Sequence, residues 1–441
     1  FFKQKTAYEI STRDWSSDVC SSDLPNQESP ETTIPILYTH YGEEWIRGSE
    51  RCLLDLITHL DRDHYTPIVW CNSHALETAV QQLGVTVVRS EFPLLLGWEK
   101  PRYNIQALLR LVQQGVNLVD RYNIQLLHAN SGAPNQWLNL VARKRKLPLL
   151  AHLHARYPLR DRITLGLHQV SIAAGVSGPT IKQLQKDGLS SDRLRVIHNG
   201  IDSSKMDQAT PIDLRKLLQI DADSLLLISV GSLIERKGMD LLLDVVHRLK
   251  QTGLPLKLAI VGSGPEQQRL QQRIQQLQLE SSVFLLGERD DVPALLRGGA
   301  DLFISAAREE VFGLVLAEAA LAELPIIAPR VGGIPEVLDN SCALLVPTED
   351  RQSLSNAIVK LYSDPARRRE MGRTGRRRIL DHFTIQHNVR AFHSLYQELL
   401  DNPKHRLHWH SHWSPLAALL PALRHLFRRV SRLSQPHLRS N

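Results

Sequence analysis

From residue 34 to about residue 400 the sequence alternates short apolar runs with longer amphipathic segments. That rhythm limits the possible folds more than any other feature of the chain. A short run that is apolar throughout fits a strand buried on both faces. A helix between consecutive runs lets parallel strands lie side by side. In the first half IPILYTH (34–40), TPIVWC (66–71), VTVVRS (85–90), IQLLHAN (124–130) and LPLLAHLH (147–154) read as strands. In the second half SLLLISVG (224–231), LKLAIVG (256–262), VFLLG (283–287), DLFIS (301–305) and LPIIAP (324–329) repeat the rhythm. The pattern predicts two doubly wound α/β halves joined near IDSSKMDQATPID (201–213). Ligands of such sheets bind beyond the carboxyl ends of the strands. The expected site is therefore a cleft between two facing domains.

At 441 residues the chain is long enough for two cores. We expect an N-terminal domain over residues 25–204 and a C-terminal domain over 205–380. A helix over 381–400 is expected to pack back on the N-terminal domain, ahead of a basic tail over 401–441. Residues 1–24 resemble a translated sequencing adaptor and are set aside as non-native. Three of the four cysteines (Cys52, Cys71, Cys342) lie outside that segment and are scattered without metal-ligand spacing, which suggests a reducing compartment and no disulfide framework.

The formal charge of +7 is unevenly spread. Residues 401–441 hold seven Lys or Arg against one Asp, giving +6, so the other 400 residues carry only +1. The basic balance thus describes a tail and not a nucleic-acid face. Within the tail, Trp413, Leu416, Leu420, Leu423, Phe427 and Val430 recur at helical spacing, opposite Arg424, Arg428, Arg429 and Arg432. Such a helix (413–433) either lies in an anionic membrane surface or docks on protein. The local charge favours the membrane, since docking does not require it.

Four turns carry the chemistry. LKLAIVGSGPEQQRLQQRI is strand, glycine-rich turn and helix, with Gly262 and Gly264 where backbone can approach an anion, although Gln267 stands at the third position of a G-x-G-x-x-G. VGSLIERKG sets Arg236 and Lys237 before Gly238 at a second strand-to-helix turn. APRVGGIPEVL has Gly332 and Gly333, and RGSERCLLDL has Gly48 and Ser49, each ahead of a helix. Four small-residue turns at strand ends favour a phosphate-bearing ligand. Finally, REEVFGLVLAEAALAELPIIAP (308–329) sets Glu310 and Glu318 eight positions apart around Phe312 and Gly313.

Taken together, these motifs resemble the retaining glycosyltransferases of family 4 (glycosyl transferases group 1). The ordered matches are GSE, the HLH that ends the fifth strand, VIHNGID, VGSLIERKG, IVGSGPE, the E-x7-E from Glu310 to Glu318, and VGGIPEVL. The resemblance implies a GT-B fold: two facing Rossmann-like domains with a ligand cleft between them. It implies transfer of a sugar from a nucleotide-sugar donor to a glycan or lipid-linked acceptor in cell-envelope or polysaccharide biosynthesis, in the cytoplasm or at the inner face of the membrane.

By the same resemblance, Glu318 accepts hydrogen bonds from ribose hydroxyls, and Glu310 lies near the transferred sugar. Phe312 and Gly313 form the turn between them. Lys237 holds the diphosphate and stabilises it as a leaving group, which is electrostatic catalysis by a placed cation. His154 faces the sugar from the N-terminal domain, while His128 and His152 are read as structural. Gly48, Ser49, Arg236, Gly262 and Gly264 complete the donor site. Same-face attack, with the departing phosphate helping to deprotonate the acceptor, is also implied by resemblance.

The chain departs from the pattern at Ser232, where arginine is common and for which Arg236 is a candidate replacement. It also departs at Ser49 and at Cys342, where glycines are common. Two Asp-x-Asp triplets, Asp61–Asp63 and Asp221–Asp223, are read as turns, so no metal or other cofactor is expected. The alternatives are an epimerase or phosphorylase of the same fold, or a non-catalytic nucleotide-sugar-binding protein. Retention of His154, Lys237, Glu310 and Glu318 argues against the second.

Overall fold

Among the described residues thirteen strands form two sheets, each parallel throughout. The computed structural model describes residues 33–98 and 103–411. The adaptor-like segment 1–24 and the amphipathic stretch 413–433 lie outside the described residues. The first sheet holds β1 (Ile34–His40), β2 (Tyr65–Cys71), β3 (Thr86–Arg89), β4 (Leu126–Ala129), β5 (Leu149–Leu153), β6 (Ile172–Gly175) and β7 (Leu194–Val196), in the order β3-β2-β1-β4-β5-β6-β7. The second holds β8 (Leu225–Val230), β9 (Leu256–Val261), β10 (Val283–Leu285), β11 (Leu302–Ile304), β12 (Ile326–Pro329) and β13 (Ala343–Val346), in the order β10-β9-β8-β11-β12-β13. In each half the first strand sits centrally, and the chain winds one way and then the other. The direction reverses between β1 and β4, and between β8 and β11. Crevices of this kind lie outside the carboxyl ends of those strands.

Three strands, β6, β7 and β13, go beyond the ten expected. β6 reads Ile-Ala-Ala-Gly, and its last three residues are small and have weak strand preference. They are small because the helix Gly178–Asp187 lies close: a Cβ on Gly175 would stand 2.6 Å from Thr180 Oγ1. β7 has three residues at a sheet edge, and β13 has four at the edge of the other sheet. Neither supplies enough periodicity to be read.

Alternation along β1 divides the N-terminal core. Leu37 faces a cluster with Trp70, Leu127 and Trp137, under the helices Ile105–Arg121 and Asn135–Arg145. Ile36 and Tyr38 face the other side, with Leu53 and Leu56 of the helix Gly48–His59. That second cluster is completed from the far end of the sequence by Phe392, Leu395, Tyr396 and Leu399, all on the helix Ile385–Asp401.

The chain leaves the C-terminal domain at Phe383 beside the segment by which it entered. Ile201 and Thr384 form a parallel bridge, with Ile201 N–H donating to the Phe383 carbonyl (2.8 Å) and Ile385 N–H to the Ile201 carbonyl (3.0 Å). Glycine at 200 permits this, since a Cβ there would lie 2.6 Å from Ile385 Cα. Beyond the helix, Leu407 is fully buried in the N-terminal core and its N–H donates to the Leu147 carbonyl (3.2 Å). The chain thus crosses between the domains twice, at one place.

Phe392 is fully buried on this returning helix. Phe392→Ala should lower the unfolding midpoint of the intact chain, at a cost of about 3–5 kcal/mol for a buried phenylalanine. An unchanged urea midpoint would show that the helix does not hold the N-terminal domain.

Candidate active site

Each strand at the two reversal points ends in a loop that carries polar residues. On the N-terminal side His40 ends β1 and Asn130 follows β4. His40 Nδ1 lies 3.0 Å from the Asn130 carbonyl oxygen, and its Nε2 lies 2.8 Å from Glu50 Oε1. Glu50 sits in the first turn of the helix Gly48–His59, where its Oε2 accepts the Arg47 N–H (3.2 Å). Asn130 Nδ2 donates to the Ser49 carbonyl (3.1 Å), and Asn130 Oδ1 lies 3.1 Å from His154 Nε2. A continuous polar chain therefore runs from Glu50 through His40 and Asn130 to His154.

Burial alone pushes the Glu50 carboxyl upward. The hydrogen bond and charge of His40, with the Arg47 N–H, outweigh that and hold it below the usual carboxylate range. Burial, with His152 beside it, holds His154 well below the ordinary histidine range, so it is a neutral imidazole at pH 7. Below it lies a column of rings. His154 and His152 are 4.1 Å apart by ring centroid, and His152 and His128 are 5.4 Å apart. Tyr396 on the returning helix closes the column, its hydroxyl 2.8 Å from His128 Nδ1. Burial drives His128 down to about 3, so this histidine stays uncharged within the core.

On the C-terminal side the loops press backbone on backbone. Gly332 has φ +56°, and a Cβ there would fall 1.6 Å from the Glu310 carbonyl oxygen. That same oxygen accepts the Gly333 N–H (3.1 Å). At Gly262 a Cβ would meet the Gly231 carbonyl at 2.0 Å. These contacts stack the loops after β8, β9, β11 and β12. They bring the Lys237 ammonium into an ion pair with the Glu310 carboxylate, both side chains mostly buried. Glu310 Oε1 also accepts the Val311 N–H (3.1 Å). An ammonium has three donors, so the pair leaves Lys237 with capacity for an anion. Arg236 is exposed, and its carbonyl accepts the Arg308 N–H (2.8 Å), tying the two loops.

Past Glu310 the chain turns at Gly313 (φ +95°) into the helix Leu314–Leu321. Phe312 is buried against Phe383 and His198, so only its backbone can reach a ligand. Glu318 faces the other domain, 3.4 Å from Arg51 Nη1. Burial raises its carboxyl above the usual value despite that guanidinium. It lines a cavity of about 260 Å³ with Arg51, Asp55, Lys205, Val292 and Leu314. Gly48 is exposed at the start of its helix and faces Leu314 across the cleft, where a Cβ would lie 3.8 Å from Cδ1.

The expected residues fall in two groups, one in each domain. Lys237, Glu310 and the glycine turns belong to the C-terminal domain, and Glu318 looks across at Arg51. His154 belongs to the N-terminal chain of polar groups. Sequence reading passed over His40, Asn130, Glu50, Arg47 and Arg51. The carboxyl-end rule would have found the first two, since they end or follow the paired strands β1 and β4. Glu50 stood inside the quoted GSE. Asp61 and Asp63 form a tight turn, the Asp63 N–H donating to Asp61 Oδ1 (3.0 Å). Among the described residues no three His, Cys, Asp or Glu are grouped so as to hold a metal ion.

Residues 46–205 match the model of Glycosyltransferase Family 4, and residues 212–378 match that of glycosyl transferases group 1. The chain belongs to the family 4 glycosyltransferases. This glycosyltransferase is 26% identical over 310 residues to N-acetyl-alpha-D-glucosaminyl L-malate synthase of Bacillus anthracis, covering 67% of the chain and 80% of that enzyme. It is 26% identical over 364 residues to the GDP-mannose-dependent alpha-(1-6)-phosphatidylinositol monomannoside mannosyltransferase of Mycolicibacterium smegmatis, covering 76% and 91% respectively. Its fold matches that of Anabaena HepE, solved with UDP and glucose, at a TM-score of 0.69 over 82% of this chain and 99% of that one, with 22% identity. The two sheets are the Rossmann-like domains of a GT-B glycosyltransferase.

The depressed Glu50 carboxyl gives this glycosyltransferase a pH signature. A lowered folded-state value contributes stability above the unfolded value and loses it as pH falls through the folded one. Glu50→Gln should therefore be less stable than the parent at pH 7, and the gap should close below roughly pH 4. Melting temperatures of the pair between pH 7 and 3.5 test this. A gap independent of pH would mean that the charge on Glu50 adds nothing.

Proposed function

We propose that this glycosyltransferase moves a hexose, with retention, from a nucleotide-sugar to a glycan or lipid-linked acceptor in cell-envelope or polysaccharide biosynthesis. The observation that carries the reading is the buried Lys237–Glu310 pair in the C-terminal domain, together with the neutral His154 in the polar chain of the N-terminal domain and Glu318 facing Arg51 at the domain interface. Glu318 accepts two vicinal ribose hydroxyls, as a carboxylate can. Lys237 meets the diphosphate, with the turns at Gly264 and Gly313 offering backbone N–H groups, whereas the Gly262 N–H is already donated to the Gly287 carbonyl (2.7 Å). The acceptor oxygen attacks the anomeric carbon on the face that the diphosphate leaves. The bond from carbon to the phosphate oxygen breaks, and the acceptor proton passes to the departing phosphate. His154 positions the sugar from the opposite side, and Lys237 stabilises the charge that develops. The step needs no metal.

The relatives' names support a glycosyl donor and, in one case, a phosphatidylinositol-based acceptor. Among the described residues no helix is long and apolar enough to cross a membrane. Residues 413–433 supply the peripheral anchor on the cytoplasmic face that a lipid-linked acceptor would call for.

The test is a panel of UDP-, GDP- and ADP-sugars, read as nucleotide release with and without acceptor mixtures. One donor should turn over, and EDTA should leave the rate unchanged. Lys237→Ala and His154→Ala should each cut turnover by about 10²–10³ while the chain stays folded. Near-parental turnover in either variant would remove that residue from the site. No release from any donor would overturn the reading.

A further inference from the structure

Arg47 reaches across the cleft and touches the loop that follows β8. Its Nη1 is 3.5 Å from Ser232 Oγ, and its Nη2 is 3.8 Å from Glu288 Oε2. The guanidinium also lies over the Trp45 ring of its own domain, 4.4 Å from its centroid. Ser232 follows Gly231, whose backbone lies against the Lys237 stem: a Cβ at 231 would be 3.8 Å from Lys237 Cδ and Cε. Arg47 and Lys237 therefore flank one loop, one cation from each domain.

Apart from Arg236, which is exposed, the other cations named in this region are committed. Lys237 pairs with Glu310. Arg308 forks onto Asp240 (2.8 and 2.9 Å) and also meets Glu349 (2.9 Å). Arg51 faces Glu318. Arg47 is held by one long hydrogen bond and by a carboxylate that is 61% exposed, contacts too weak to fix a guanidinium for their own sake. A diphosphate carries two or more negative charges, and Lys237 arrives already paired with a carboxylate. A guanidinium offers a planar fork matched to phosphate oxygens.

We propose that Arg47 is a diphosphate-binding residue, which exchanges its contacts to Ser232 and Glu288 for the phosphates of the bound donor and so draws the N-terminal domain onto the nucleotide. This rests on the donor reading given above. It adds a charge supplied from the domain opposite the one that holds Lys237.

Calorimetry on the intact chain tests the proposal, using UDP, GDP or ADP, whichever binds tightest, against its monophosphate. Arg47→Gln should shrink the advantage of the diphosphate over the monophosphate by about tenfold or more, as expected for a charged hydrogen bond. Folding should hold, because the Arg47 backbone N–H, not the side chain, bonds to Glu50. Melting temperature checks that, and Arg47→Lys, which keeps the charge without the fork, should fall between the two. Adding Ser232→Arg to Arg47→Gln returns a guanidinium to the same place and should restore the diphosphate advantage. An undiminished advantage in Arg47→Gln overturns the proposal. So does an equal loss for diphosphate and monophosphate that Ser232→Arg fails to rescue, which would make Arg47 a latch between domains. If the parent binds none of the three diphosphates, the donor reading itself fails and the proposal falls with it.

Discussion

The contact on which the rest of the site depends is the backbone of Gly332 against the carbonyl oxygen of Glu310. A side chain at 332 would need to occupy the space of that oxygen, 1.6 Å from the Cβ position, in a left-handed conformation that glycine adopts freely. With Gly333 N–H donating to the same oxygen, the loop after β12 clamps the loop after β11 from beneath. Gly262 against the Gly231 carbonyl does the same for the loops after β9 and β8. Because both clamps are backbone to backbone, the Glu310 carboxylate has little freedom to choose its partner, and Lys237 is delivered to it. If a phosphate charge develops there as proposed, charge placed this firmly needs no reorganisation, which is the condition for electrostatic catalysis.

The N-terminal domain achieves comparable rigidity by other means. Its polar groups are tied side chain to side chain, from Glu50 through His40 and Asn130 to His154, in a setting where a lost partner would leave a buried group unpaired. Behind His154 the histidine column ends on Tyr396, so the helix Ile385–Asp401 supports the site from the rear. This helix belongs in sequence to the end of the C-terminal domain. Its return beside the first linker, with Gly200 against Ile385, confines relative movement of the domains to two adjacent segments. A two-domain enzyme that must close on a nucleotide needs mobility there and stiffness elsewhere.

Much of this was legible in the sequence because the signals were local. Short apolar runs between amphipathic segments marked ten of the strands, and glycines at strand ends marked the loops. The E-x7-E pair stood out because Gly313 breaks the pattern between two carboxylates. What escaped notice depends on partners distant in sequence. Ala173 and Ala174 lie in a strand for reasons of close helix packing, which composition conceals. His40, Asn130 and Glu50 are unremarkable singly, and only the pairing of β1 with β4 brings them together. Phe312, read as part of the donor turn, proves to have its ring in the core against Phe383, a contact that spans seventy-one positions. The +6 of the tail is shared unevenly: Lys404 and Arg406 lie in the segment that docks Leu407 on the N-terminal core, and the other five basic residues fall outside the described residues.

On the proposed reading a nucleotide occupies the cleft with its ribose on Glu318. The most direct test is a cycle of binding measurements. The tightest of UDP, GDP and ADP would be compared with its 2′-deoxy and 3′-deoxy forms on the parent chain and on Glu318→Gln. Removing a hydroxyl should weaken binding to the parent, and most of this penalty should disappear in Glu318→Gln, because the acceptor for that hydroxyl has already been weakened. Equal penalties in the two proteins would mean that Glu318 does not meet the ribose, and that the cleft is used in some other way.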